Sequence, residues 1–151
     1  MDRTTDRDDL FQPALSGRRQ ETPREYPWRL GSQVYVAFFG GPLAVGGIGA
    51  FNAGFLQMPK RAIAAIVATA LVAEAAFLVV YAVAGLDDSG RIASTVAGLA
   101  AFGVIYLIQR SADRVYHFHT REEEPYQSLF GPGFVAVIAA RIFEGVLVSL
   151  V

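Results

Sequence analysis

Charge along this chain is confined to short stretches between long apolar runs. No charged residue occurs from Leu30 to Pro59, a run of 30. Ala62–Ala73 and Ala75–Leu86 are uncharged runs of 12, separated by Glu74 alone. Ile92–Gln109 is uncharged over 18 residues and Pro125–Ala140 over 16. Arg141 and Glu144 then interrupt the last run, which is apolar again from Gly145 to Val151. A bilayer core of about 30 Å takes about 20 helical residues to cross. Four segments meet or approach that length: 33–57, 62–85, 92–110 and 129–151. The pattern predicts an all-α, polytopic transmembrane helical bundle of four hydrophobic helices, spanning 29–151.

The pattern before residue 29 is different. Residues 1–32 carry six arginines and six acids. Residues 1–28 read as a disordered polar N-terminal tail, because this composition cannot bury enough apolar surface to fold alone. No apolar stretch typical of a cleaved signal peptide is visible there. Tyr26, Trp28, Tyr106, Tyr116, Tyr126 and Phe130 flank the apolar segments and suit interfacial anchors.

The first segment contains its own interruption. Gly40-Gly41-Pro42 predicts a helix broken near 40–42, since proline removes a backbone donor and glycine is a poor helix former. Such a break is tolerated at membrane depth only under a cover of protein or in a water-filled cavity. Two topologies compete. With four crossings, five basic residues fall on each side of the membrane. With a re-entrant first segment, nine share a side and Arg91 stands alone, as the positive-inside rule favours. Length favours four crossings, because 25 residues suit one span, and four crossings is the reading adopted here. Phe39-Gly-Gly-Pro and Phe130-Gly-Pro-Gly-Phe form a faint echo between the first and fourth segments, of the kind found where transporters repeat interrupted helices.

Candidate chemistry concentrates on charges within the apolar runs. Ionisable residues at that depth are costly and face a bundle interior, a cavity or one another. Glu74, Arg141 and Glu144, with Asn52, form the predicted intramembrane polar cluster, and Ser94 and Thr95 are further hydrogen-bond partners. Arg141 is expected to pair with Glu74 across helices, because Arg preceding Glu is the less favourable order within one helix. Small residues spaced along one face, Gly46, Ala50 and Gly54 in the first segment and Ala93, Ala97 and Ala101 in the third, predict close helix packing. His117, His119 and Glu123 are the metal-capable residues of the 110–128 loop, without a third histidine to close a zinc site.

Composition narrows the remaining classes. The chain has 53% hydrophobic and 18% charged residues, a net charge of −1 and no cysteine. It offers no bulk attraction to nucleic acid, no thiolate chemistry and no phosphate-binding glycine loop. No catalytic constellation and no cofactor motif is present. Twelve arginines against one lysine, with abundant Ala, Gly and Val, suggest a GC-rich bacterium and hence its plasma (inner) membrane. The expected partners are the lipid bilayer and further copies of the chain or a larger membrane complex. The expected role is a structural or accessory subunit packing through small-residue helix faces. The alternative is a proton- or ion-coupled channel or transporter component using Glu74, Arg141 and Glu144.

Overall fold

A computed structural model describes residues 26–84, 89–119 and 126–150. Residues 1–25, which hold most of the expected tail, lie outside the described residues, as does Glu123. A short 3₁₀ turn, Leu30–Ser32, leads into α1 (Gln33–Phe55), followed by α2 (Lys60–Ala84), α3 (Gly90–His119) and α4 (Phe130–Val148). All four are long and apolar enough to cross a membrane, so the chain is a helical bundle of membrane-spanning type.

The first helix does not run straight through. Gly41 has φ 72° and ψ −165°, and Pro42 follows it at the first helical position of a new arm. The chain doubles back there. The Trp28 backbone N–H donates to Asn52 Oδ1 at 2.8 Å, and the Trp28 and Phe55 rings meet edge to face at 5.2 Å. In a straight helix the stretch from residue 33 to residue 52 alone would cover about 28 Å. Residues 33–40 and 42–55 are therefore two arms of a helical hairpin, about 12 Å and about 21 Å long. Both open at the end of the bundle that holds residues 26–29, here termed the near end. This corrects the preference for four crossings: α2, α3 and α4 run end to end, whereas α1 enters and leaves at the near end.

Register against the other helices places the tip. The first arm runs alongside α4, with the Tyr35 hydroxyl donating to the Leu129 carbonyl and Gly40 against Val137. The second arm runs parallel to α3, with Gly41 against Ser94, Gly49 against Ile105 and Asn52 bonded to Gln109. Gly46 lies so close to α2 that a methyl group on it would collide with Ala70 Cβ. The hairpin is consequently the centre of the molecule, touched by all three other helices.

Helix faces explain which residues are inside. On α2 the buried positions are Ile66, Ala70, Glu74 and Phe77, one stripe at helical spacing. On α3 the stripe is Ser94, Gly98, Ala101, Ile105 and Gln109. The expected ridge on α3 is thus shifted: Ala101 is core, but Ala93 and Ala97 sit on its flank, half-buried. Gly98 occupies the close approach instead, since a Cβ there would lie 2.5 Å from the Ala37 carbonyl oxygen. On α1, Gly46 packs as expected and Ala50 is half-buried, while Gly54 is exposed with open space around it.

The near end is closed by aromatic contacts. Trp28 is only 6% exposed, so the packed part of the chain begins before residue 29, and this ring is a core residue rather than an interfacial anchor. Gln127 N–H donates to the Pro27 carbonyl. Tyr126 packs against Tyr116 and His117 and under Arg29, whereas Tyr106 and Phe130 remain exposed as anchors would. The echo between the first and fourth segments has no structural counterpart. Pro132 sits in the first turn of α4, where its missing N–H costs nothing, and α4 continues unbroken.

Candidate functional site

Breaking a helix orphans its last carbonyls and first amides. At the hairpin tip, side chains from α3 and α4 serve the carbonyls. Thr95 Oγ1 donates to the Phe38 carbonyl at 3.2 Å and Arg141 Nε donates to the Phe39 carbonyl at 2.6 Å. Arg141 Nη1 also donates to Ser94 Oγ at 3.0 Å and to Glu144 Oε2 at 2.8 Å. The guanidinium thus lies at the negative end of the first arm. Glu144 Oε2 lies 3.5 Å from where a Gly41 Cβ would be, beside the positive end of the second arm. Each charge sits where the dipole of a half-helix favours it.

These contacts revise the expected pairing. Among the described residues, the ion pair of Arg141 is with Glu144 on its own helix, not with Glu74. Interhelical geometry outweighs the intrahelical order preference, because the freed Phe39 carbonyl and Ser94 fix the guanidinium where Glu144 can reach it. Ser94 is fully buried and joins the cluster as expected, and Thr95 joins it too.

Glu74 is the member left over. It is 4% exposed, and neither carboxylate oxygen has a hydrogen-bond partner among the described residues. The Tyr81–Gly90 contact sets the level of α2 against α3. Seven residues back along α2 and seven forward along α3 bring Glu74 level with Ala97–Gly98, which is the level of the hairpin tip. The Glu144 and Arg141 charges both act on it there. Two carboxylates and one guanidinium therefore share a buried region, one negative charge in excess if all are ionised.

Asn52 does not belong to this cluster. It lies about 16 Å along the second arm from Gly41, where its Nδ2 donates to Gln109 Oε1 at 3.2 Å and Gln109 Nε2 donates to the Gly49 carbonyl at 2.5 Å. This second polar layer, near the near end, was missed in the sequence. Its signal is faint: Gln109 closes an apolar run, and Gln33 opens one. Gln33 is fully buried with both amide atoms unpartnered among the described residues, as is Trp28 Nε1.

Of the three metal candidates, only the His117 side chain is among the described residues. The His117 ring stacks on Tyr126, and the His119 side chain and Glu123 lie outside the described residues. No group of three or more metal-capable side chains occurs among the described residues. Tyr126 instead donates to Asp113 at 3.4 Å. Burial, with the Asp113 charge second, pushes the Tyr126 phenol above its usual value.

Comparison with protein-family models gives no match, and comparisons with curated proteins and with solved structures give none either.

Proposed function

We propose that this chain is a component of a proton- or cation-coupled membrane transport system, with Glu74 as the group that takes up the ion. One observation carries this reading: a buried carboxylate without a donor, level with a broken helix. An ionised carboxylate held away from water is costly unless it is paired. Arg141 does not fill that need: its Nε and Nη1 groups are directed to the Phe39 carbonyl, Ser94 and Glu144, and neither Glu74 oxygen has a hydrogen-bond partner among the described residues. A proton or a small cation on Glu74 removes the excess charge, and Glu144 Oε2, Ser94 Oγ and the backbone of the tip supply hard oxygen atoms nearby. Interrupted helices at membrane depth serve transporters in this way, exposing backbone groups where an ion must bind.

The near end carries Arg29, Lys60, Arg61, Arg110 and Arg114 against Arg91 at the far end, which supports a cytoplasmic near end. Composition supports the inner membrane of a bacterium. The test is reconstitution of the purified protein into vesicles enclosing a pH-sensitive dye. An imposed gradient of protons or sodium is expected to collapse faster with the protein than without it, and Glu74→Gln is expected to abolish the difference. Equal rates for both proteins would sink the reading.

A structural or accessory role is the second reading, and a specific observation favours it. Only 17% of the apolar window of α4 is buried, against 56% for α1. An apolar groove of about 700 Å³ between the second arm and α4, lined by Leu43, Gly47, Ile48, Ala136, Ala139 and Phe143, is likewise open. A second copy or a larger membrane complex would cover these surfaces as well as lipid does. Under this reading Glu74→Gln leaves function intact, whereas bulky replacements of Gly47 or Ala139 disrupt assembly.

A further inference from the structure

An interrupted helix in a membrane offers a cation the carbonyls freed at the end of a half-helix, completed by side-chain oxygens. The hairpin tip has such a set: the Phe39 carbonyl, Ser94 Oγ and Glu144 Oε2, brought together from α1, α3 and α4. A cation already holds it. Arg141 Nε reaches the Phe39 carbonyl at 2.6 Å, and Nη1 reaches Ser94 Oγ at 3.0 Å and Glu144 Oε2 at 2.8 Å. The Phe38 carbonyl is taken as well, by Thr95 Oγ1.

A metal ion has no place beside this guanidinium. A hard cation takes about six oxygen ligands at once. One that drew on Ser94 Oγ or Glu144 Oε2 would have a single oxygen atom between itself and Arg141 Nη1, and like charges at that range repel strongly in a low-dielectric interior. Packing against α3 leaves no space for it either. A Cβ on Gly41 would lie 2.8 Å from Ser94 Oγ, and one on Gly98 would lie 2.9 Å from Gly41 Cα. One turn away from Glu74 on α2 stand Ala70, Leu71, Phe77 and Leu78, none with a side-chain oxygen.

A proton makes no such demands, because it binds one oxygen covalently and needs no shell of ligands. The charges around Glu74 are few. α1 carries no charged residue, α3 none from Ile92 to Gln109, and α2 none but Glu74 from Ala62 to Ala84. The acid and base that act on Glu74 are Glu144 and Arg141, both from α4. These two neutralise one another. The one excess charge is left on Glu74, which is 4% exposed and without a hydrogen-bond partner among the described residues. A single proton there makes the buried region neutral.

We infer that the cation position of the hairpin tip is filled by the protein's own Arg141, and that Glu74 consequently takes up a proton and not sodium or another metal cation. This deepens the transport reading by naming its ion and rests on that reading for its purpose, but protonation of Glu74 is measurable without flux.

The test is infrared spectroscopy of the purified full chain in vesicles at neutral pH. A protonated carboxyl group has a carbonyl stretch that a carboxylate lacks, and the band shifts in D2O. The parent is expected to show this band at equal strength in sodium and in choline buffer. Glu74→Gln is expected to lose it and Glu74→Asp to move it. Loss of the band when sodium replaces choline would overturn the inference, as would its absence from the parent or its undiminished survival in Glu74→Gln. Thermal unfolding in the same buffers is a second measurement. Equal Tm in sodium and choline is expected, and a Tm raised by sodium in the parent but not in Glu74→Gln would overturn the inference. The two readings fail separately. A sodium-insensitive Glu74 band in vesicles that carry no flux leaves the proton site standing and removes transport. Glu74-dependent flux driven by a sodium gradient at equal pH keeps transport and overturns the proton.

Discussion

Gly41 has a φ of 72°, and a Cβ there would press to 2.8 Å from Ser94 Oγ. Gly41→Ala is therefore expected to destabilise the fold by about 1–3 kcal/mol. Gly47 provides the control, being helical with open space around it. Gly47→Ala should stabilise by about 1 kcal/mol or less, and unfolding in detergent compares the two directly. If both variants unfold together, the tip is not strained as described. Arg141 gives a second test at this scale. Arg141→Met leaves the Phe39 carbonyl and the Glu144 carboxylate without that donor, and because the pair is only part-buried the loss is expected to be about 1–3 kcal/mol. Arg141→Met combined with Glu144→Gln should cost clearly less, since position 144 then carries no charge left without its partner. Equal losses in the single and double variants would show that Glu144 does not depend on Arg141. The charges themselves were legible in the sequence, as were Ser94 and Thr95 as partners. Their pairing was not, because the strongest claimant on Arg141 is the backbone carbonyl of Phe39, 102 residues away. No spacing rule reveals a carbonyl freed by a break in another helix.

Element boundaries were largely readable because uncharged runs and membrane thickness set them together. The expected segments 62–85 and 92–110 correspond to α2 and most of α3, although α3 continues to His119. The break at Gly40–Pro42 was readable from local residue chemistry. Its consequence was not, since 25 apolar residues fit one span as well as one hairpin. What closes the hairpin is contact from elsewhere: Gly98 leaves room for the Ala37 carbonyl, and Thr95 and Arg141 take the freed carbonyls. The positive-inside count favoured the hairpin, because charge reports where loops lie while length reports only what could cross. A direct consequence concerns the two ends of α1. The native chain has no cysteine, so single cysteines at Ser32 and Gln57 can be labelled without background. Both are expected to react with a membrane-impermeant thiol reagent from the same side, and a cysteine at Ser89 from the other. Labelling of Ser32→Cys and Gln57→Cys from opposite sides would rule out the hairpin.

For the whole molecule, the hairpin changes parity. Three helices that run end to end leave the two termini on opposite sides of the membrane, whereas four crossings would put them together. If the near end is cytoplasmic, as proposed from its basic residues, the end of α4 should face outward. The last helix must then stay inserted although Arg141 and Glu144 lie within it. An isolated helix bearing a central charge is disfavoured by about 2.5–3.5 kcal/mol per charge. Contact with the hairpin offsets that cost, because the two charges neutralise each other and serve the broken backbone. Insertion of α4 should therefore depend on the hairpin. A reporter phosphatase active only outside the cytoplasm, fused after Val151, is expected to be active in the parent chain. A fluorescent protein that matures only in the cytoplasm should be dark at the same position. Replacing Phe39-Gly-Gly-Pro42 with four leucines favours a straight first helix and deprives Arg141 of its carbonyl. That variant should lose phosphatase activity at equal expression, whether by gaining a crossing or by failing to insert α4. An active phosphatase in both chains would mean that α4 inserts unaided and that the hairpin does not set the topology.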